Sequence, residues 1–501
     1  VTAPGKVYLI GAGPGDPGLI SLRAVELLGR ADAVLYDYLV NPVVLRHCRP
    51  DAKQISLGKH GSGRVWTQPQ INAQMVELAR QGAMVVRLKS GDPLVFGRAS
   101  EELEFLSRHG IPFEIVPGIT AAVAAAAYAG IPLTQRDTAS AVALITGQED
   151  AEKSETSLDY AALARFPGTL AFYMGVTTVG HWSRELLAAG KPAETPVAVL
   201  RRVSLPDQTR IQTTLGEVAD VVARERLRPP VVFLIGPAAG QTDWAWFERR
   251  PLFGRRILVT RPAEQTDDLA KPLAELGAEV LAQPVVEIRP LPADVAIPFS
   301  ENELRRFDWI VFSSRNGVRC FFDALAGRGL DVRAVGQARL AAIGPGTAEE
   351  LARYHLRADL IPSTYQAENL AEALAHQAAG QRFLLVRASR GRDVLAQMLT
   401  AAGGQVTQQV VYESRDVPAA DPEIVAQLRA GRIHWTTVTS SAIARGLVRL
   451  FGEELRRTRL VSISPLTSAV LAELGFAPAA VARQATMAGV IEAILTAEGA
   501  G

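Results

Sequence analysis

Two groups of residues have types and spacings that chemistry can use. The first lies in VYLIGAGPGDPGLISLRAVELLGRADAVLYD, Val7 to Asp37, where Gly13, Gly15 and Gly18 fit G-x-G-x-x-G and Asp37 closes a second strand-like run. In a dinucleotide site such glycines cradle a pyrophosphate and such a carboxylate holds the ribose. The residues between the glycines argue against that guest. Pro14 and Pro17 remove donor N–H groups, and Asp16 puts a negative charge where phosphate would press. The loop suits a neutral or cationic ligand better. Lys59 in LGKHGSG follows the strand-like ISL, but no Ser or Thr follows it, so it is no P-loop lysine.

The second group consists of hydroxyls in a repeated half. IVFSSRNGV with Ser313-Ser314 pairs with TVTSSAIAR and Ser440-Ser441, and AAIGPGTAEELA pairs with VSISPLTSAVLA, so Thr347 and Thr467 fall in step. The run from Ile257 likewise matches the run from Phe383, Arg261 answering Arg387 and Gly277 answering Gly403. Three blocks recurring in one order read as a duplicated α/β unit with two similar lobes. Ser314, Thr347, Ser441 and Thr467 follow strands and open helices, where hydroxyls and free N–H groups make anion sites. The plainer reading is that they cap helices. No His stands beside them, so this half is built to hold an anionic substrate rather than to attack it.

The elements that position these residues alternate between short β-rich runs and alanine- and leucine-rich helical patterns, which predicts an α/β architecture throughout. A chain of 501 residues, 48% hydrophobic, has room for several cores. Its 53 basic and 52 acidic side chains nearly cancel, which speaks against a general nucleic-acid footprint. Cys48 and Cys320 are the two cysteines; they suit a cytoplasmic setting, and no Cys/His spacing for a metal occurs. ITAAVAAAAYAGIPL is too short to span a bilayer, so no membrane partner is expected. The aromatic, basic stretch 241–254 reads as a linker before the fresh strand RRILVT. VVRLKSGDPLVFGR reads as strand, Gly-Asp-Pro turn and helix, and FEIVPGITAA as strand, Pro-Gly turn and helix.

VYLIGAGPGDPGLISLRAVELLGRADAVLYDYLV, ISLGKHGSG, VVRLKSGDPLVFGR, VPGITAA and GIPLTQRD together resemble the uroporphyrinogen-III C-methyltransferases of the tetrapyrrole methyltransferase family, over about 7–236. The half from about Arg255 onward resembles the uroporphyrinogen-III synthase family. The resemblance implies a two-lobed α/β methyltransferase followed by a two-lobed, internally duplicated α/β synthase domain. The expected lobes are 1–118 and 119–240, then 255–287 plus 414–501 and 288–413.

It further implies S-adenosylmethionine as cofactor, tetrapyrrole substrates (hydroxymethylbilane and uroporphyrinogen III) and a homodimer through the methyltransferase half. Cofactor contacts carry over to Pro14, Ser90, Gly91, Asp92, Val95, Thr120, Ala121 and Met174, with Val203 on the adenine side. Asp37 and Lys59 align with the family's proton acceptor and donor, and Tyr412 with a synthase tyrosine that helps a hydroxyl leave. Eight substrate carboxylates make clamps of Arg46, Arg64, Arg98 and Arg136, each of which alone reads as a surface charge. Three positions depart from the family pattern: Ser90 for a glycine, Ala99-Ser100 for Gly-Gly, and RRVSLPDQ for a glycine-bearing turn. Two other readings stay open: an NAD-dependent oxidoreductase on the opening loop, and a methyltransferase with a non-catalytic, tetrapyrrole-binding C-terminal half.

Overall fold

The computed structural model describes residues 4–58, 66–149 and 156–499. Contacts divide the chain into two compact units, the first running to Arg255 with Leu273–Glu279 added, the second holding Arg256–Pro272 and the chain from Val280.

In the first unit, β1 (Val7–Gly11), β2 (Ala33–Tyr36), β3 (Lys53–Ser56), β4 (Val85–Lys89) and β5 (Phe113–Val116) form a parallel sheet ordered β3-β2-β4-β1-β5. Alternate side chains part to opposite faces, as the strand period requires. Val7, Leu9 and Val85 pack with Met75 and Leu106 from helices Gln68–Arg80 and Ala99–Arg108. Tyr8, Ile10 and Val86 pack instead with Leu27 of helix Leu22–Leu28. The chain thus leaves β1 over one face and β4 over the other. The crevice between those two strand ends is the switch point at which open α/β sheets take ligands.

This order also removes the dinucleotide reading, because β4 lies between β1 and β2 whereas dinucleotide folds pair their first two strands. The helix after the loop starts past all three glycines, its first turn capped by Ser21 Oγ accepting from Ala24 N at 3.2 Å. The Asp16 carboxylate is fixed within the loop, accepting from Gly18 N (2.8 Å) and from the Tyr128 hydroxyl (2.6 Å). Burial and this carboxylate both push the Tyr128 hydroxyl pKa up.

The second sheet, β6 (Val142–Thr146), β7 (Thr169–Tyr173), β8 (Pro196–Arg201), β9 (Thr209–Thr214) and β10 (Val231–Ile235), has the order β6-β7-β10-β8-β9 with only β6 and β7 parallel. Phe172, Trp182 and Phe233 fill one face. Ala122, Ala125 and Ala126 of helix Ala121–Ala129 lie against Ala171 and Leu234 on the other, where small side chains let the helix sit close. The stretch after this sheet is docked on that helix. Trp246 Nε1 donates to Ala127 O (2.8 Å), and Tyr128 packs edge-on to Phe247.

The second unit contains β11 (Arg256–Val259), β12 (Glu279–Ala282), β13 (Val286–Pro290), β14 (Trp309–Phe312), β15 (Arg339–Ala342), β16 (Arg382–Ala388), β17 (Gln405–Asp416), β18 (Trp435–Val438), β19 (Arg459–Ser462) and β20 (Ala480–Val481). Its sheets are ordered β12-β11-β18-β19-β20 and β13-β17-β16-β14-β15. Matching β11 with β16 and β18 with β14, as the sequence repeat does, gives both sheets one strand order. Even the edge repeats: Val461 pairs with Ala480 and Ala341 bridges to Leu360. The repeat is permuted along the chain, so the chain crosses between sheets before β13 and after β17, and these two strands pair antiparallel.

Strand register corrects one pairing made from sequence. Trp309 and Trp435 open equivalent strands, which aligns Ser314 with Ser440 rather than Ser441. Ser314 Oγ accepts from Gly317 N (2.9 Å) and Ser440 Oγ from Ile443 N (3.2 Å), so these two are the helix caps. Ser441 is the first helical residue, and Gly344 and Ser464 cap the helices that contain Thr347 and Thr467.

Two outcomes follow for thermal unfolding of the full chain. Ser440→Ala should cost about 1 kcal/mol and Ser441→Ala less than about 0.5 kcal/mol, reversing the order expected had Ser441 been the cap. Gly11→Ala should destabilise by about 1–3 kcal/mol, since overpacking costs that much and its Cβ would lie 2.5 Å from Gly118 N.

Candidate active sites

At the switch point the ends of β1, β4 and β5 meet through backbone. Gly91 N donates to Gly13 O (2.7 Å) and Gly13 N to Gly91 O (3.2 Å). Gly91 takes φ +66, a conformation that suits glycine, and its neighbours across the crevice are Thr120 and Ala121, 3.8 Å from where a Cβ would stand. Pro14, Ser90, Gly91, Asp92, Thr120 and Ala121 therefore line one place. Val95, Ala121 and the buried Val203 pack in one apolar cluster at its side. Met174 follows β7, exposed and at φ +54, next to Tyr173, whose hydroxyl bonds Thr120 Oγ1 (2.8 Å).

The Asp92 carboxylate ties the loops together rather than reaching outward. Its oxygens accept from Leu94 N (2.8 Å) and Gly118 N (3.0 Å). The turn at RRVSLPDQ keeps left-handed backbone without glycine, at Arg202 (φ 51) and Ser204 (φ 63). Arg202 pairs with Asp207 (2.6 Å), and Ser204 is fixed by Gln208 and by Asp16 N. Arg46, Arg98 and Arg136 are exposed on separate elements, with Arg98 paired to Glu101 at 2.7 and 2.8 Å. Lys59 and Arg64 lie outside the described residues. A crevice of backbone, small residues and apolar side chains fits the adenosyl cofactor that the motifs imply.

Asp37 stands one strand away, beyond β2, and carries a network that motif reading missed. Arg87 Nη2 donates to Asp37 Oδ1 (2.7 Å) and Arg87 Nε to Glu102 Oε1 (3.0 Å). Lys89 Nζ reaches both Glu102 oxygens at 3.1 and 3.2 Å, and Gln68 adds a further donor at 3.1 Å. Arg87, Lys89 and Glu102 are 2%, 4% and 0% exposed, so these charges have left water almost completely. Burial and the Arg87 cation hold Lys89 below the usual lysine range. Burial also opposes the Arg87 cation, but Glu102 and Asp37 outweigh it and keep Arg87 above its ordinary value. Removing one partner of such a pair costs about 3–5 kcal/mol. The sequence held a signal: VVRLK places two cations on one face of a buried strand, and that face requires an acid.

In the second unit Tyr412 is buried on β17, and its hydroxyl bonds Ser314 Oγ at 3.1 Å. Burial raises its pKa. Thr347 and Thr467 are buried in the first turns of their helices. The start of the Thr347 helix abuts Arg315, whose guanidinium lies 2.6 Å from where a Gly346 Cβ would stand. Thus Ser314, Tyr412 and Thr347 belong to one lobe, and Ser441 and Thr467 to the other. Arg315 bonds Asp268 (3.0 Å) and Asn316 bonds Gln265 (2.8 Å), joining the two lobes. Arg261 shares the same Asp268 oxygen at 3.3 Å. A cavity of about 60 Å³ lined by Gln265, Asp268, Arg315 and Asn316 among others lies at this junction, smaller than ordinary ligand pockets of about 300–1,000 Å³.

Comparison with known proteins agrees with this division. The family described as Tetrapyrrole (Corrin/Porphyrin) Methylases matches residues 6–219, and Uroporphyrinogen-III synthase HemD matches 267–492. The porphyrin biosynthesis protein HemD of Ruminiclostridium josui is 33% identical over 446 residues, covering 89% of this chain and 88% of that protein. The uroporphyrinogen-III C-methyltransferase of Bacillus subtilis is 40% identical over 329 residues, covering 66% and 68%. An S-adenosyl-L-methionine-dependent uroporphyrinogen III methyltransferase of Methanosarcina barkeri is 44% identical over 232 residues, 46% of this chain and 91% of that one. The chain belongs to the tetrapyrrole methylase family, fused to a uroporphyrinogen-III synthase of the HemD family.

Proposed function

We propose that the second unit closes linear hydroxymethylbilane to uroporphyrinogen III and that the first unit methylates this product twice, at C2 and C7, to give precorrin-2. The observation that carries the reading is the backbone crevice of Pro14, Gly91 and Thr120, with Asp37 anchored by Arg87 on the neighbouring strand. Precorrin-2 would feed sirohaem or cobalamin.

S-adenosylmethionine, when bound, supplies an electrophilic sulfonium methyl group. The crevice residues hold and orient it, and positioning does most of the work because the attacking pyrrole carbon needs in-line approach. That carbon must then lose a proton. Asp37 takes it in this reading, since Oδ1 is held by Arg87 while Oδ2 carries no hydrogen bond from a described residue. Lys59 serves as the matching donor, and Arg46, Arg64, Arg98 and Arg136 supply cations for the substrate's carboxylates. Self-association through the first unit belongs to the same proposal.

In the synthase unit the substrate loses hydroxide as water and cyclises with inversion of its last ring. The buried Tyr412 hydroxyl, bonded to Ser314, serves as proton donor to the leaving hydroxyl, and burial keeps it protonated. Ser314, Thr347, Ser441 and Thr467 contribute their helix starts to the substrate's carboxylates.

Incubation of the full chain with hydroxymethylbilane and S-adenosylmethionine, followed by mass analysis, should give a dimethylated type III product. Methylation only of preformed uroporphyrinogen III would remove the synthase assignment. Asp37→Asn should lower methyl transfer by about 10²–10⁴-fold, the usual range for a general base, while cofactor binding by calorimetry is retained. Tyr412→Phe should slow ring closure and leave methylation of preformed substrate unchanged.

A further inference from the structure

Arg87, Lys89 and Glu102 are buried beside the methyltransferase crevice, and the chemistry assigned above uses only Arg87, as the anchor of Asp37. Glu102 is fully buried in the first turn of helix Ala99–Arg108, where the helix N-terminus favours a carboxylate. It receives Arg87 and Lys89 from alternate positions of β4. Arg87 in turn spans to Asp37, the one member of the four with appreciable exposure, at 30%. The charges balance, two negative and two positive, along the line Lys89, Glu102, Arg87, Asp37. The same network touches the cofactor loop. Gly97, which follows the Gly-Asp-Pro turn, lies so near Lys89 that an added Cβ would stand 3.2 Å from Lys89 Cε.

We infer that Glu102 is a positioning residue for methyl transfer: it fixes the Arg87 guanidinium in the bridging setting that aims Asp37 at the proton to be removed. The inference rests on the reading of Asp37 as proton acceptor. The geometry separates positioning from simple packing. An arginine needed only to fill space would not require two carboxylates, one at Nε and one at Nη2, and a carboxylate needed only for Lys89 would not also receive Arg87 Nε. The planar guanidinium is bonded at Nε to Glu102, at Nη1 to Leu88 O (3.2 Å) and at Nη2 to Asp37, so Asp37 Oδ1 is pinned. Loosening Glu102 leaves Leu88 O as the one anchor opposite Asp37, so the guanidinium can tilt and Asp37 loses its orientation without losing its neighbour.

The test is steady-state methyl transfer from S-adenosylmethionine to uroporphyrinogen III by the full chain, with Glu102→Gln, Arg87→Lys, Asp37→Asn and the double variant Asp37→Asn/Glu102→Gln. Glu102→Gln should lower kcat about 10–100-fold with both KM values within about twofold, because small misplacement of a reacting group is costly. Added to Asp37→Asn, it should lower kcat further by less than about twofold, since its effect passes through Asp37. A loss of similar size in both backgrounds, or an effect confined to KM, would overturn the inference and leave Glu102 a structural residue. Unchanged kcat in folded Glu102→Gln would do the same. If Glu102→Gln does not fold, Arg87→Lys decides: lysine keeps the charge but cannot span both carboxylates, so kcat should fall while cofactor binding persists. Full kcat in Asp37→Asn sinks the base reading and this inference together, whereas an inactive Asp37→Asn beside a fully active Glu102→Gln sinks this inference alone.

Discussion

Much of the first unit depends on backbone meeting backbone where β1, β4 and β5 end. A side chain at Gly11 would lie 2.5 Å from Gly118 N and 2.6 Å from Gly91 O, so the three loops converge only because these positions are bare. That convergence sets the crevice floor, brings Pro14, Gly91 and Thr120 side by side, and places the Asp92 carboxylate across to Gly118 N. It also explains why the glycine pattern misleads. Dinucleotide glycines bring a phosphate against a helix start, whereas here Gly13 meets Gly91 and brings one loop against another, and the following helix begins with its own serine cap.

The second unit solves a different problem, that of building a cleft from one motif used twice. Equivalent strands occupy equivalent places in both sheets, so both helix starts capped by Ser314 and Ser440 arise from the same local geometry. The permuted connection makes each sheet depend on chain segments far apart in sequence. The antiparallel pair of β13 and β17 is the physical link that this exchange requires. Contacts through Asp268, Arg315, Gln265 and Asn316 then hold the lobes together by polar bonds.

The first unit pairs charges in two settings. Exposed pairs such as Arg98 with Glu101 lie at the surface, where such bonds contribute little. The Arg87 and Lys89 pairs with Glu102 lie where water is absent, and there a missing partner is severe. The chain keeps this arrangement beside Asp37 rather than an apolar packing of the same volume.

The sequence by itself determined the alternating α/β character, the duplication, and the family motifs that mark the crevice loops, because strand and helix periods and glycine turns are local properties. It also left legible Arg261 against Arg387, a match in spacing without a partner. Three matters needed tertiary structure. The strand order, with β4 between β1 and β2, is set by which faces the helices cover, and it moved Asp37 from a ribose position to a place beside Arg87. The cap assignment needed the strand register, which exchanged Ser441 for Ser440. The use of Asp16 by Tyr128, and of Glu102 by Arg87 and Lys89, depended on residues distant in sequence arriving within hydrogen-bond reach. Local patterns specify elements; only packing decides which charges those elements enclose.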